Sequence, residues 1–201
     1  GPTMVIGPNG SGKTTLLRAM HGIERISTGQ VAWTHNAPDQ QAFVFQSPIV
    51  LRRSVADNLA YPLTLANVPK PEVARQVSHW LDRIGLTDMA QTAATRLSGG
   101  ERQKLAIARA LINEPQVIFL DEPCANLDGH TTRDIEDLLR ETAVAGTKLI
   151  MSTHNMGQAK RLGKNVIFML NGNVHEHGPI NIMNNPQSTD LKSFLQGDIV
   201  L

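Results

Sequence analysis

The sequence predicts an α/β fold, with a mostly parallel sheet core, an inserted helical subdomain and a small antiparallel β portion. Three observations carry this expectation. A glycine-rich stretch, Gly7-Pro8-Asn9-Gly10-Ser11-Gly12-Lys13-Thr14, lies between the short apolar run Met4-Val5-Ile6 and the helix-favouring run Leu16-Leu17-Arg18-Ala19-Met20. A continuous apolar run, Val117 to Leu120, ends in the paired acids Asp121-Glu122. Helical patterning returns between these landmarks, and Asn171-Gly172 later separates two short apolar runs, as in a type I′ hairpin.

Taken in order, Gly1 stands six positions before Gly7, which leaves room for one short strand. Ser27-Thr28-Gly29 marks a turn, after which Gln30 to Trp33 and Ala42 to Phe45 read as strands around the polar segment Thr34 to Gln40. Gln46-Ser47-Pro48 ends the second of them. Ser54 to Leu59 reads as a capped helical turn that Pro62 should close. Pro71 to Ile84 is the clearest amphipathic helix, with Val73, Val77, Trp80, Leu81 and Ile84 on one stripe and Gly85 just past its end.

Leu97-Ser98-Gly99-Gly100 breaks the pattern. A helix then runs from Glu101 to Ile112, with Leu105, Ala108, Leu111 and Ile112 on one face, until Pro115 stops it. Gln116 to Leu120 and Lys148 to Thr153 read as strands buried on both faces. Helices follow each, from about Thr131 to Thr142 (Ile135, Leu138 and Leu139 inward) and around Met156, Ala159 and Leu162. Val166 to Leu170 and Val174 to Glu176 form the hairpin, and the tail from Pro179 to Leu201 reads as short helices. The expected organisation is a single domain, with its core at 1–46 and 111–201 and its helical subdomain at about 47–110.

Composition narrows the function classes. Of the 201 residues, 41% are hydrophobic and 18% charged, ordinary values for a globular protein. A net charge of +1 lacks the basic excess of a nucleic-acid binder, so no nucleic-acid partner is expected. Cys124 is the only cysteine, so no internal disulfide framework exists and a reducing cytosol is expected. No apolar run approaches the roughly 18–20 residues that cross a bilayer, and no signal peptide is evident. A chain of this kind is expected to dock onto a membrane protein rather than to span the membrane.

The glycine-rich stretch fits G-x-x-x-x-G-K-[ST], the P-loop pattern, with Thr15 directly behind it. Its glycines let the backbone fold back so that successive N–H groups form an anion nest at the positive end of a helix. Lys13 adds a full charge near the β- and γ-phosphates, and the Thr14 hydroxyl can ligate Mg²⁺. A chance glycine-rich turn would not bring a strand on one side and a helix on the other. Asp121 is a candidate Mg²⁺ ligand, and Glu122 is placed to orient or deprotonate an attacking water. A lone Asp-Glu would read as two solvated acids ending a strand; with the P-loop upstream, the catalytic reading is preferred.

Leu97-Ser98-Gly99-Gly100-Glu101, followed by Arg102 to Ala110, resembles the signature motif and helix of ABC-type ATPases. Physically, a serine and two glycines opening a helix make a second anion-binding N-terminus. The resemblance implies that this second site serves the γ-phosphate of a partner copy. ATP would be sandwiched between Lys13 of one copy and Ser98, Gly99, Gly100 and Glu101 of the other. It further implies that Gln46 meets Mg²⁺ or the water, that Asp128 lies at the dimer seam, and that His154 contacts the γ-phosphate. His21, His35, His79, His130, His175 and His177 are left as structural.

The sequence departs from the family pattern in three places. Glu101 stands where glutamine is common, which should be tolerated. Asn126 replaces a more usual alanine, with no account from sequence. The family also places an adenine-stacking aromatic residue ahead of the P-loop, and no such residue precedes Gly7 here. On that ground, ATP is expected to bind weakly or with its adenine held differently.

The function this resemblance implies is the ATP-hydrolysing subunit of a membrane importer, cytoplasmic and peripheral on the inner face of the cell membrane. Its implied partners are a second copy, separate integral membrane permease subunits and an extracytoplasmic solute-binding protein. Ser47 to Leu59 would form the groove that receives the permease. Gly157 to Leu162, together with Ser193 to Asp198, looks most like tungstate and related oxyanion or phosphate importers. The alternatives are soluble ATPases of the same family. A DNA-repair ATPase is disfavoured because Ser98 follows Lys13 by only 85 positions with no heptads between. A translation ATPase normally carries two such domains, and a non-hydrolysing, nucleotide-gated scaffold is the remaining choice.

Overall fold

The computed structural model describes residues 1–33 and 40–197. Residues 34–39, which include His35 and most of the polar segment between the first two expected strands, lie outside that description, as do residues 198–201 with Asp198.

Six strands form one sheet: β1 (Thr3–Ile6), β2 (Gln41–Val44), β3 (Val117–Asp121), β4 (Lys148–Ser152), β5 (Asn165–Leu170) and β6 (Asn173–Pro179). Their spatial order is β2-β3-β4-β1-β5-β6, parallel except for the antiparallel β5–β6 pair. Side chains alternate across the central strands. Val5, Val117, Phe119 and Ile150 face one side, where Leu17 of α1 (Lys13–His21) packs on them. Met4, Ile6, Ile118, Leu120, Leu149 and Met151 face the other, into a larger core shared with the remaining helices. Coverage of both faces explains why these strands read as unbroken apolar runs.

The other helices are α2 (Val55–Leu65), α3 (Lys70–Arg83), α4 (Gly99–Leu111), α5 (Gly129–Val144), α6 (Met156–Leu162) and α7 (Thr189–Gln196). Caps set several starts. Ser98 accepts from the Glu101 N–H, and the Asp128 carboxylate accepts from the His130 and Thr131 N–H groups, so α4 and α5 each begin two residues earlier than hydrophobic periodicity places them. Asn171 (φ 49°) and Gly172 (φ 78°) are both left-handed, as the type I′ hairpin between β5 and β6 demands.

Two expectations are corrected. Gln30 to Trp33 is not a strand. Among the described residues the sheet ends at β2, which pairs only with β3, and the run has no ladder partner; Trp33 instead packs edge-on against Phe119, ring centroids 5.9 Å apart. Pro62 does not end its helix, which continues to Leu65. Val55, Leu59 and Leu63 are buried at four-residue spacing within the main core, and that tertiary burial outweighs the roughly 3 kcal/mol helix cost of an internal proline.

Phe119 centres an aromatic cluster. It stacks on Phe43 at 6.2 Å and receives the edges of Trp33 and of His21, the latter at 5.6 Å. It is fully buried on the strand that carries Asp121. Phe119→Ala is expected to destabilise the protein by about 3–5 kcal/mol, measured as a lower denaturation midpoint in urea.

Candidate functional site

The C-terminal ends of β1, β4 and β3 lie side by side, with Asp121 in register with Ser152 and Ser152 with Val5. Loops leaving a parallel sheet at this edge build its ligand sites. The loop after β1 turns at Gly7, whose φ is 148° and where an added Cβ would lie 2.2 Å from the Met169 carbonyl oxygen, so only glycine fits. α1 then starts at Lys13 with Gly12 as its N-cap and no side chain capping the first turn. Its leading N–H groups are therefore available to an anion. The Gly172 N–H donates to the Ser11 carbonyl at 3.1 Å, tying the hairpin to the loop.

Lys13 is 6% exposed and donates from Nζ to the Gly7 and Pro8 carbonyls at 2.9 and 3.0 Å. The Nζ atom lies 3.9 Å from Glu122 Oε1. Burial holds its pKa below the ordinary lysine value, against the opposing pull of Glu122 and Asp121. The Thr14 hydroxyl lies 2.8 and 3.0 Å from the two Asp121 oxygens. Asp121 also accepts from the Ser152 hydroxyl at 2.7 Å, and Ser152 Oγ accepts the Glu122 N–H at 2.9 Å. Glu122 sits in the left-handed region at φ 44°, unusual for its type, on the turn that redirects the chain after β3. His154 Nδ1 lies 2.8 Å from Glu122 Oε2.

Lys13, Thr14, Asp121, Glu122 and His154, far apart in sequence, are thus brought together. The Ser11 hydroxyl of the same loop is buried with no hydrogen-bond partner among the described residues. Gly10, Asn9 and Thr15 complete the loop and first turn. Gln46 follows β2 and is exposed, and among the described residues no hydrogen bond joins it to the cluster. Ser98 and Gly99 lie apart from it, exposed at the start of α4. Ser98 and Glu101 form a reciprocal capping box, with the Glu101 carboxylate accepting the Ser98 N–H at 2.8 Å. Hydrogen bonds from Ser98 hold the Glu101 carboxyl below its usual pKa. Gly100 faces α5 so closely that an added Cβ would meet Thr131 Cγ2 at 2.8 Å. The Thr131 hydroxyl in turn donates to Asp128 at 2.7 Å, which places the signature stretch and Asp128 on one surface.

Two features escaped sequence reasoning. Ser152 holds Asp121 and Glu122 together, and its only signal is its position at the end of the strand beside β3. Asn126 has φ 60°, and asparagine tolerates that left-handed turn far better than most residues, which accounts for its place in the loop.

The ABC transporter family pattern matches residues 2–125, more than half of the sequence. The chain belongs to the ABC transporter family. As in that family's ATP-binding subunits, it is an ATPase. It is 37% identical over 179 residues to a tungstate uptake system ATP-binding protein of Peptoclostridium acidaminophilum, covering 87% of this chain and 84% of that protein. It is 35% identical over 207 residues to a methionine import ATP-binding protein of Brucella abortus (strain 2308), covering 96% of this chain but 56% of that longer protein. Among solved structures, it resembles cbiO1 of Clostridium perfringens, part of the ABC transporter complex cbiONQ, with a TM-score of 0.80 and 27% identity over 97% of this chain and 83% of that one.

The ABC ATPase carries one thiol two residues past Glu122. Burial pushes the Cys124 pKa up to about 11. At pH 8 roughly one thiol in a thousand is then thiolate. Native protein is expected to react with iodoacetamide about 100-fold more slowly than protein in urea, as read by mass spectrometry.

Proposed function

We propose that the chain is the ATP-hydrolysing subunit of an importer, powering solute passage through a separate permease. The observation that carries this is the placement of Glu122, 3.9 Å from the P-loop lysine and 2.8 Å from His154. Phosphoryl transfer requires charge neutralisation and an aimed water more than covalent chemistry. Lys13, the free N–H groups at the start of α1 and the Ser11 hydroxyl hold the phosphates. Glu122 orients a water and takes its proton as the water oxygen bonds to the γ-phosphorus, and the bond to the β-γ bridging oxygen breaks to leave ADP and phosphate. His154 steadies Glu122 and meets the γ-phosphate from the next strand.

Mg²⁺ suits the donor set. Hard oxygens of Thr14 and Asp121 face each other, and among the described residues no cluster of three or more His, Cys, Asp and Glu side chains could form an all-protein metal cage. An ion held by one carboxylate, a hydroxyl and substrate phosphates is the usual arrangement for this metal. Thr14 and Asp121 would hold it, with Gln46 reaching in from β2, and it supplies charge neutralisation at the phosphates. The exposed start of α4 supports a head-to-tail pair in which Ser98, Gly99, Gly100 and Glu101 of one copy close over nucleotide on the other, with Asp128 at the seam.

The permease dock is assigned to a groove of about 540 Å³ between β2 and α2–α4. Phe45, Ile49, Tyr61 and Leu65 line it, and Arg109 crosses it to the Ile49 carbonyl and to Asn58 Oδ1. Ile49 and Leu65 are exposed apolar residues that an amphipathic permease helix would cover. Residues 47–110 thereby act as a helical subdomain carrying the dock, while 1–46 and 111–201 carry the nucleotide. No helix among the described residues is long and apolar enough to cross a membrane, so attachment to the inner face of the membrane would come from the permease. The relative named for tungstate uptake supports an oxyanion as solute, delivered by an extracytoplasmic binding protein.

Glu122→Gln is expected to keep ATP binding and lower turnover at least 100-fold, leaving an ATP-trapped dimer visible by gel filtration; unchanged hydrolysis would remove Glu122 from its role. Ser98→Ala is expected to cost about 1 kcal/mol at the helix cap, abolish ATP-driven dimerisation and leave monomer affinity for ATP unaltered. Loss of monomer affinity would refute the in-trans role. In the assembled transporter, tungstate and not methionine should stimulate hydrolysis when its binding protein is present.

A further inference from the structure

Behind His154 lies a polar network that the chemistry above leaves unused. The Thr153 hydroxyl accepts the Asn155 N–H at 3.0 Å and donates to Gln158 Oε1 at 2.8 Å. Asn155 Oδ1 accepts the Gln158 N–H at 2.9 Å, capping α6. Gln158 Nε2 donates to Glu136 Oε1 at 3.2 Å. Arg161 closes the system with a bidentate grip on Glu136, at 2.6 and 2.9 Å. Thr153, Gln158 and Glu136 are 3%, 2% and 4% exposed.

Both neighbours of His154 in the chain are therefore fastened to Gln158, and Gln158 is fastened to α5. α5 is the helix that Asp128 caps. Two segments meet at Gln158: the strand end carrying His154 and the helix behind Asp128. A buried carboxylate and its ion pair add little stability over apolar residues of equal volume. What a fully satisfied network supplies is one geometry in place of several.

We propose that Gln158, held by Glu136 and Arg161, is a positioning residue for ATP hydrolysis, fixing His154 in its contact with Glu122 from behind without touching nucleotide. This rests on the assignment of Glu122 and His154 to the γ-phosphate. Gln158 ties the strand end to α5, so its loss lets His154 drift relative to Glu122 while the phosphate cradle around Lys13 stays intact.

The test is steady-state hydrolysis by the full-length protein, with melting temperature and ATP affinity measured alongside. Gln158→Leu and Glu136→Gln are each expected to lower kcat about tenfold while KM for ATP stays within about twofold, the signature of misplacement rather than lost binding. The exchange pair, Gln158→Glu with Glu136→Gln, keeps one carboxylate and one amide beside Arg161 and is expected to recover kcat to within about threefold of wild type. If Gln158→Leu does not fold, Thr153→Val removes the hydroxyl link alone and is judged by the same split. Unchanged kcat in a folded variant, a rise in KM with kcat constant, or a folded exchange pair as slow as the single variants would each overturn the proposal. Glu122→Gln run in parallel separates the two levels. Turnover retained there defeats the catalytic assignment itself, whereas turnover lost there with the network variants fully active defeats only the role given to Gln158.

Discussion

The site depends on how one buried carboxylate is satisfied. Asp121 is 2% exposed at the end of a strand whose other four residues are apolar and buried. A charge so placed is costly unless hydrogen-bonded. Thr14, from the helix behind the P-loop, and Ser152, from the adjoining strand, answer it. Those bonds join the ends of β1, β3 and β4, and Ser152 passes the constraint on to the Glu122 backbone. The same contacts that remove an electrostatic penalty also gather Lys13, Thr14, Asp121 and Glu122 at one edge of the sheet.

Much of this was legible in sequence because its causes are local. Three glycines within six residues, a lysine and a threonine state a phosphate loop whatever the rest of the chain does. Four apolar residues before two acids state a buried strand that delivers charge to its end. Ser98 with Glu101 three positions later states a helix start. The errors arose where distant contacts decide. Nothing around Gln30 to Trp33 tells that it finds no ladder partner among the described residues, and nothing near Pro62 tells that the far side of its helix is buried at four-residue spacing. Glu136 reads as one more acid on an exposed helix face, because its partners Gln158 and Arg161 come from a later helix.

Two helix starts in this chain carry distinct roles, and the difference lies in their capping. α1 has no side chain over its first turn, so its N–H groups point at whatever anion the loop encloses. α4 has a complete capping box, so its serine is already oriented and its first turn is rigid. The first arrangement is an open cradle; the second is a stiff, outward-facing prong. Gly100 lets that prong sit hard against α5, close to the Thr131 that holds Asp128.

The order of the strands has a consequence for scale. β4 lies between β1 and β3, so the P-loop and the acidic pair hang from strands two spacings apart, about 10 Å at the usual distance between neighbours. The sheet is in this respect a ruler with fixed graduations. Side-chain reach then closes the gap, with Lys13 Nζ 3.9 Å from Glu122, so the separation of these groups is set first by backbone pitch and only afterwards by the choice of residue.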